Sequence, residues 1–227
     1  MILAMTDNRS FTEIAWAATS EIRHAINRHP FVLGLQDGSL EPSIFLGYLA
    51  QDSPYLLGYA QALAQCAAQA NKPVDIAFWA TSAHDTIVVE RALHESRVAD
   101  LDECDPSPTC TAYVSYLLAT AGRCSYPVLA AALTPCFWIY QDIGQRLRQA
   151  PEIPAHPYQE WIGAYGDAEF ALSVDRVKQI VNGAAAAASE STRAEMLSAF
   201  FAAVRYEWMF FDAAWRKESW PTFGTDR

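Results

Sequence analysis

The spacing of the apolar residues constrains this chain more than any other feature. Along nearly its whole length they recur at three- and four-residue intervals, and no run alternates apolar and polar residues between turn signals as strands do. The pattern predicts an all-α fold. A first helix is expected from about Phe11 to Arg28, followed by a turn-rich stretch, "RHPFVLGLQDGSLEPSIF", in which Ser39 is the expected N-cap and Pro42 stands in the first turn of the second helix. That helix runs on through "LGYLAQDSPYLLGYAQALAQCAAQA" with a bend expected near Pro54. A third is expected over 74–99, before the loop "DECDPSPT". "CTAYVSYLLATAG" reads as a shorter helix closed by Gly122, and Ser125 as the cap of a helix kinked at Pro135. "YQEWIGAY" is a short helix and Asp167 starts another, which Asn182 and Gly183 are expected to end or bend. A final helix is expected over 192–217, with the tail packing through Trp220.

Composition narrows what such a bundle does. With 52% hydrophobic and 19% charged residues and no linker-like stretch, residues 1–227 are expected to form a single domain with a large core. No apolar run approaches the roughly eighteen residues of a membrane span, which implies a soluble chain. "MILAMTDNRS" has no basic leader region and no cleavage pattern, and the five cysteines form no CxxC pair, so a cytoplasmic location is expected. A net charge of −10 opposes binding to nucleic acid or to anionic lipid.

Two helix faces carry unusual carboxylates. In the last helix Ala203, Val204, Glu207, Phe210, Phe211 and Ala214 fall on one stripe, so Glu207 is a carboxylate on an apolar face while Asp212 and Arg216 pair elsewhere. Burial there raises a carboxyl pKa and suits it to moving protons near neutrality, although a buried Glu held by a hydroxyl reads the same way. In the second helix Tyr48, Asp52, Tyr55 and Tyr59 share a face: either a carboxylate framed by rings that cover a flat ligand, or a packing seam in which Asp52 accepts tyrosine hydroxyls.

Other chemistries lack their residues. Glu21 and His24 form a lone ExxH, so no di-iron set exists and no metal or other cofactor is expected. Glu90 and His94 read as a surface pair, and His29 before Pro30 as a stop and turn signal. There is no GxSxG, Walker loop or GxGxxG. Cys136 is the best-placed nucleophile. Pro135 denies the Ala131 carbonyl its helical donor and is expected to open space beside the sulfur, where Thr134 and Tyr140 offer hydroxyls. A cysteine filling a core is the plainer alternative.

Several separated stretches, "HPFVLGLQDGSL", "YLAQDSPYL", "SPTCTAYVSYL", "LTPCFWIYQDIG", "YQEWIGAYG" and "YEWMFFDAAWRKESW", together resemble in the same order the TenA family, the thiaminase II or aminopyrimidine aminohydrolases. The resemblance runs from about Phe11 to Trp220. It implies an all-helical fold like that of haem oxygenase, without haem, assembled as a homotetramer. It implies that Cys136 is the nucleophile, placing the chain in the cysteine-containing branch, and that Glu207 is the catalytic glutamate. Asp52 then matches the carboxylate that holds the pyrimidine amino group, and Tyr55, Tyr113 and Tyr165 the tyrosines around the ring. Pro54, Cys110, Thr111, Met209 and Phe210 depart from the family pattern and put the preferred substrate in doubt. The implied activity is hydrolysis of 4-amino-5-aminomethyl-2-methylpyrimidine, and more slowly thiamin, to the hydroxymethylpyrimidine in thiamin salvage. The alternatives are a non-catalytic pyrimidine-binding or regulatory protein, and another haem-oxygenase-like enzyme.

Overall fold

A computed structural model of the chain describes residues 9–90, 105–151 and 153–222. Among these, helices connected by short turns form the whole fold, with no strand. Helix α1, Phe11–Ala18, opens on a capping box: Ser10 accepts from the Glu13 amide, while Glu13 accepts from the Ser10 amide. The single helix expected over 11–28 instead breaks at Thr19, whose hydroxyl donates to the Ala15 carbonyl at 3.0 Å and draws the backbone out of register. Helix α2, Ser20–Asn27, follows.

The stretch expected to be turns contains another helix, α3, Pro30–Asp37. Pro30 occupies the first helical position, where a missing N–H costs nothing, and His29 is the N-cap, its Nδ1 accepting from the Phe31 amide at 3.2 Å. Gly38 ends α3 at φ 75°, a left-handed conformation that suits glycine. Helix α4, Pro42–Gln69, has Glu41 rather than Ser39 at its N-cap and remains helical through Pro54. Helix α5, Pro73–Asp85, passes into a π-helical turn, Thr86–Glu90; the remainder of the helix expected to 99, including His94, lies outside the described residues.

Helix α6, Pro108–Arg123, contains Gly122 instead of ending at it. Helix α7, Tyr126–Arg148, is capped at Ser125 and stays helical through Pro135, because one missing hydrogen bond does not break a helix packed on several sides. Helix α8 is Gln159–Tyr165 and α9 is Ala168–Ala187, the latter started by Asp167, whose side chain accepts from the Glu169 amide. Asn182 and Gly183 do not end α9: the alanines continue it, and Asn182 pins it to α1 by bonds to Thr12 at 2.9 Å. Helix α10, Glu190–Trp215, is capped by Ser189. The tail is held less by burial than by a bond: Trp220 is 54% exposed and its indole N–H donates to the Pro106 carbonyl at 2.8 Å.

Helix α7 lies at the centre, in contact with α4, α6, α8, α9 and α10. Its run Ala130, Ala131, Ala132, Leu133, Thr134 is buried all round, as expected of a helix hydrophobic on every side. No helix among the described residues is long and apolar enough to cross a membrane.

Candidate active site

Five helices, α4, α6, α7, α8 and α10, deliver the expected site residues. The stripe read on α4 is real and faces inward: Tyr48, Asp52, Tyr55 and Tyr59 are all at most 3% exposed. Cys136 and Tyr140 project from the facing side of α7, one turn apart. Tyr165 ends α8, and its position is set by backbone contact, since a Cβ on Gly144 of α7 would stand 2.5 Å from the Tyr165 carbonyl carbon. Only glycine permits α8 to lie so close. Glu207 comes from α10, on the apolar stripe where the sequence placed it.

Asp52, Tyr55, Cys136, Tyr140 and Tyr165 line one cavity, together with Leu56, Tyr59, Thr86, Phe137 and Phe170. Its volume is about 30 Å³. A cavity that binds benzene measures about 150 Å³, so the rings of the wall must part to admit a flat heterocycle. Two sets of aromatic contacts build the wall, one through Tyr59 and one through Tyr165. Tyr55 stacks on Tyr59 with centroids 5.6 Å apart, and Tyr140 meets Tyr165 at 4.8 Å. Phe170 stands edge-on to Tyr165 at 5.5 Å. Edge and offset arrangements of this kind leave ring faces available to a stacking ligand.

Glu207 and Tyr113 stand directly behind this wall. The Tyr113 hydroxyl donates to Glu207 Oε1 at 2.7 Å, and the Tyr113 ring is 5.0 Å from that of Tyr55. Glu207 is 1% exposed. Burial pushes its pKa up to about 8; the Tyr113 hydrogen bond works against that, and the nearby Asp52 charge adds to it. Near neutrality the carboxyl therefore keeps its proton and donates it on demand. Tyr55, Tyr113 and Tyr140 are held well above the ordinary tyrosine range, first by desolvation and then by neighbouring groups that include Glu207. These phenols act as neutral hydrogen-bonding groups.

Thr134 does not contribute. Its hydroxyl donates back to the Ala130 carbonyl at 2.8 Å, a back-bond that a helical threonine makes readily, and it faces the core. Tyr140, the other hydroxyl expected beside the sulfur, lines the cavity and accepts from the Tyr48 hydroxyl at 3.0 Å. Of the departures from pattern, Met209 is 37% exposed, so it does not shape the cavity, while Phe210 is buried with its ring 5.3 Å from Tyr55. His29 is bound to Asp212 at 3.5 Å, and Asp212 to Arg216 at 2.6 Å. His24 is exposed and pairs with the Ser20 carbonyl. Among the described residues no cluster of His, Cys, Asp and Glu is arranged to hold a metal.

Sequence reasoning missed Thr86, Phe137 and Phe170 as wall residues. Thr86 lies at the start of the π-helical turn, and such turns recur at functional sites, but nothing in the local spacing announces one. Tyr59 was visible as a member of the α4 stripe, one turn beyond Tyr55.

Fold and site define an all-helical protein with a buried, tyrosine-walled cavity that brings a thiol and a carboxylate together beside a proton-holding carboxyl. The chain belongs to the TENA/THI-4/PQQC family, whose model matches residues 16–217. It is 33% identical over 219 residues to the aminopyrimidine aminohydrolase of Halalkalibacterium halodurans, covering 93% of this chain and 98% of that one. It is 34% identical over 211 residues to the thiamine biosynthesis multifunctional protein ThiED of Corynebacterium efficiens; the match covers 91% of this chain but only 28% of the length of that protein. Among solved structures, a TenA homologue from P. horikoshii OT3 superposes with a TM-score of 0.82 at 27% identity, covering 92% of this chain and 99% of that one. A domain with a heme oxygenase-like fold from Shewanella denitrificans superposes at 0.70 with 11% identity, covering 93% and 94% of the two chains, a likeness of fold alone.

Proposed function

We propose that this chain is an aminopyrimidine aminohydrolase of the thiaminase II type, which replaces the amine on the methylene arm of 4-amino-5-aminomethyl-2-methylpyrimidine by hydroxyl and acts more slowly on thiamin. The observation that carries the reading is the convergence of Cys136 and Asp52 on one ring-lined cavity, with a protonated Glu207 behind its wall. Asp52 holds the ring by its amino group, and Tyr55, Tyr140 and Tyr165 orient it by stacking.

Direct departure of the amine leaves a costly cation, so the reaction goes through addition. The Cys136 thiolate bonds to the ring carbon beside the one that bears the arm, and Glu207, which meets the ring once the wall has parted to admit it, gives its proton to the adjacent ring nitrogen. The ring, no longer aromatic, pushes an electron pair toward the arm, whose amine is bound as the ammonium, and the carbon–nitrogen bond breaks with the pair leaving on neutral ammonia. Water adds to the exposed methylene and its surplus proton goes to the ammonia. Glu207 takes back the ring-nitrogen proton as the carbon–sulfur bond breaks, which restores the aromatic ring and the thiolate. A cytoplasmic, homotetrameric enzyme completes the proposal.

The test is release of ammonia from the aminomethylpyrimidine against release of the thiazole from thiamin, at matched concentration. Ammonia release is expected to be the faster of the two, and Cys136→Ser to abolish both while the far-ultraviolet helical signal is unchanged. Turnover retained by the purified Cys136→Ser variant would refute the assigned nucleophile.

A further inference from the structure

The reaction written above uses the residues around Tyr59 and gives Tyr59 itself no task. Tyr59 is 3% exposed, lines the same cavity as Cys136, and donates its hydroxyl proton to the Leu133 carbonyl at 2.8 Å. Leu133 and Cys136 are three residues apart on α7 and so share a helix face. A hydroxyl anchored on the one lies against the sulfur of the other, and hydrogen bonding to Cys136 is among the interactions felt by the Tyr59 phenol. The phenol oxygen has one proton and two lone pairs. The Leu133 carbonyl is also in register for the Phe137 amide, its ordinary helical donor, so it does not depend on Tyr59 for a partner.

We infer that Tyr59 is a positioning residue for the nucleophile, a phenol whose single proton rests on the Leu133 carbonyl while Cys136 is a thiol and turns to the sulfur when Cys136 becomes a thiolate. The thiol proton leaves to solvent; the phenol O–H bond rotates and does not break. Burial holds the phenol's own ionisation well above its usual range, so Tyr59 steadies the anion without becoming an acid in the reaction. The other ionisable side chains around this sulfur are Asp52 and Tyr55 on α4, Tyr113 on α6, Tyr140 on α7, Tyr165 on α8 and Glu207 on α10. This inference deepens the proposed function and rests on Cys136 being its nucleophile.

The experiment is the pH dependence of Cys136 alkylation by iodoacetamide in the full chain, read on the Cys136 peptide by mass spectrometry because Cys124 is exposed and reacts as well. Tyr59→Phe keeps the ring contacts to Tyr55 and Phe137 and removes only the hydroxyl. The alkylation midpoint is expected to rise by about one pH unit, an about tenfold fall in rate below both midpoints. The acid limb of kcat/KM should move with it while KM stays near its starting value. Because ionised Glu207 also disfavours a thiolate, the shift should persist in a Glu207→Gln background. A midpoint that stays in place or falls overturns the role of Tyr59. That result alone leaves the hydrolase reading intact if Cys136→Ser is inert, whereas an active Cys136→Ser variant sinks the reading whatever Tyr59 does.

Discussion

Replacing Glu207 by Gln should make the protein more stable at neutral pH while stopping its chemistry, and the size of the gain follows from the site. The carboxyl titrates near 8 in the folded chain, against an ordinary value of 4.5. Below pH 4.5 both folded and unfolded chains hold the proton and Glu207 is neutral to stability. As pH rises, the unfolded chain releases the proton first, so the folded state is penalised by about 1.4 kcal/mol for each further pH unit until the folded carboxyl itself ionises near 8. At pH 7 this amounts to about 3 kcal/mol. Glutamine has the shape of the protonated acid, retains an oxygen to accept from Tyr113, and carries no such penalty. Urea unfolding of the two proteins in parallel from pH 4 to 9 measures the difference directly, and pH effects of other groups cancel in it. Glu207→Gln should show little advantage at pH 4, a steadily growing one to about pH 8, and a plateau beyond. A difference that stays constant across this range would mean that Glu207 ionises normally, and with it would go the argument that burial arms it as an acid.

Asp52→Asn should leave the fold intact and raise KM for an aminopyrimidine by about ten- to a hundredfold, the loss of a charge-assisted hydrogen bond to the ring amino group, measured by steady-state ammonia release. Gly144→Ala should cost about 1–3 kcal/mol, because its Cβ would meet the Tyr165 and Gly166 backbone at 2.5 and 2.6 Å and force α8 away from α7. A lower melting temperature with a raised KM is the expected pair of readouts, since Tyr165 moves with α8.

What was legible in the sequence follows from the reach of its signals. Helical periodicity is local, and it gave the long helices α4, α7 and α10 nearly whole. The two stripes bearing Asp52 and Glu207 stood out because a carboxylate among apolar neighbours breaks a pattern that the remainder of the helix keeps. Errors gathered where one residue type has two meanings. Pro30 stops a helix or starts one, and here it starts α3; Gly183 weakens a helix but does not end one that packs well. Thr19 reads as one more helical residue until its hydroxyl is seen turned onto the Ala15 carbonyl. Thr86 and Phe170 were out of reach for another reason. They join the wall only because the π-helical turn after α5 and the start of α9 reach the same cavity, and no spacing within either element records that meeting.

The narrowness of the cavity has a kinetic consequence. A space so much smaller than a ring cannot be filled by simple collision, so a ligand must wait for Tyr, Phe and Leu side chains to swing aside before it enters. Capture is then governed by how often the door stands ajar: at high ligand concentration the observed entry rate levels off at the frequency of opening, instead of climbing in proportion to encounters.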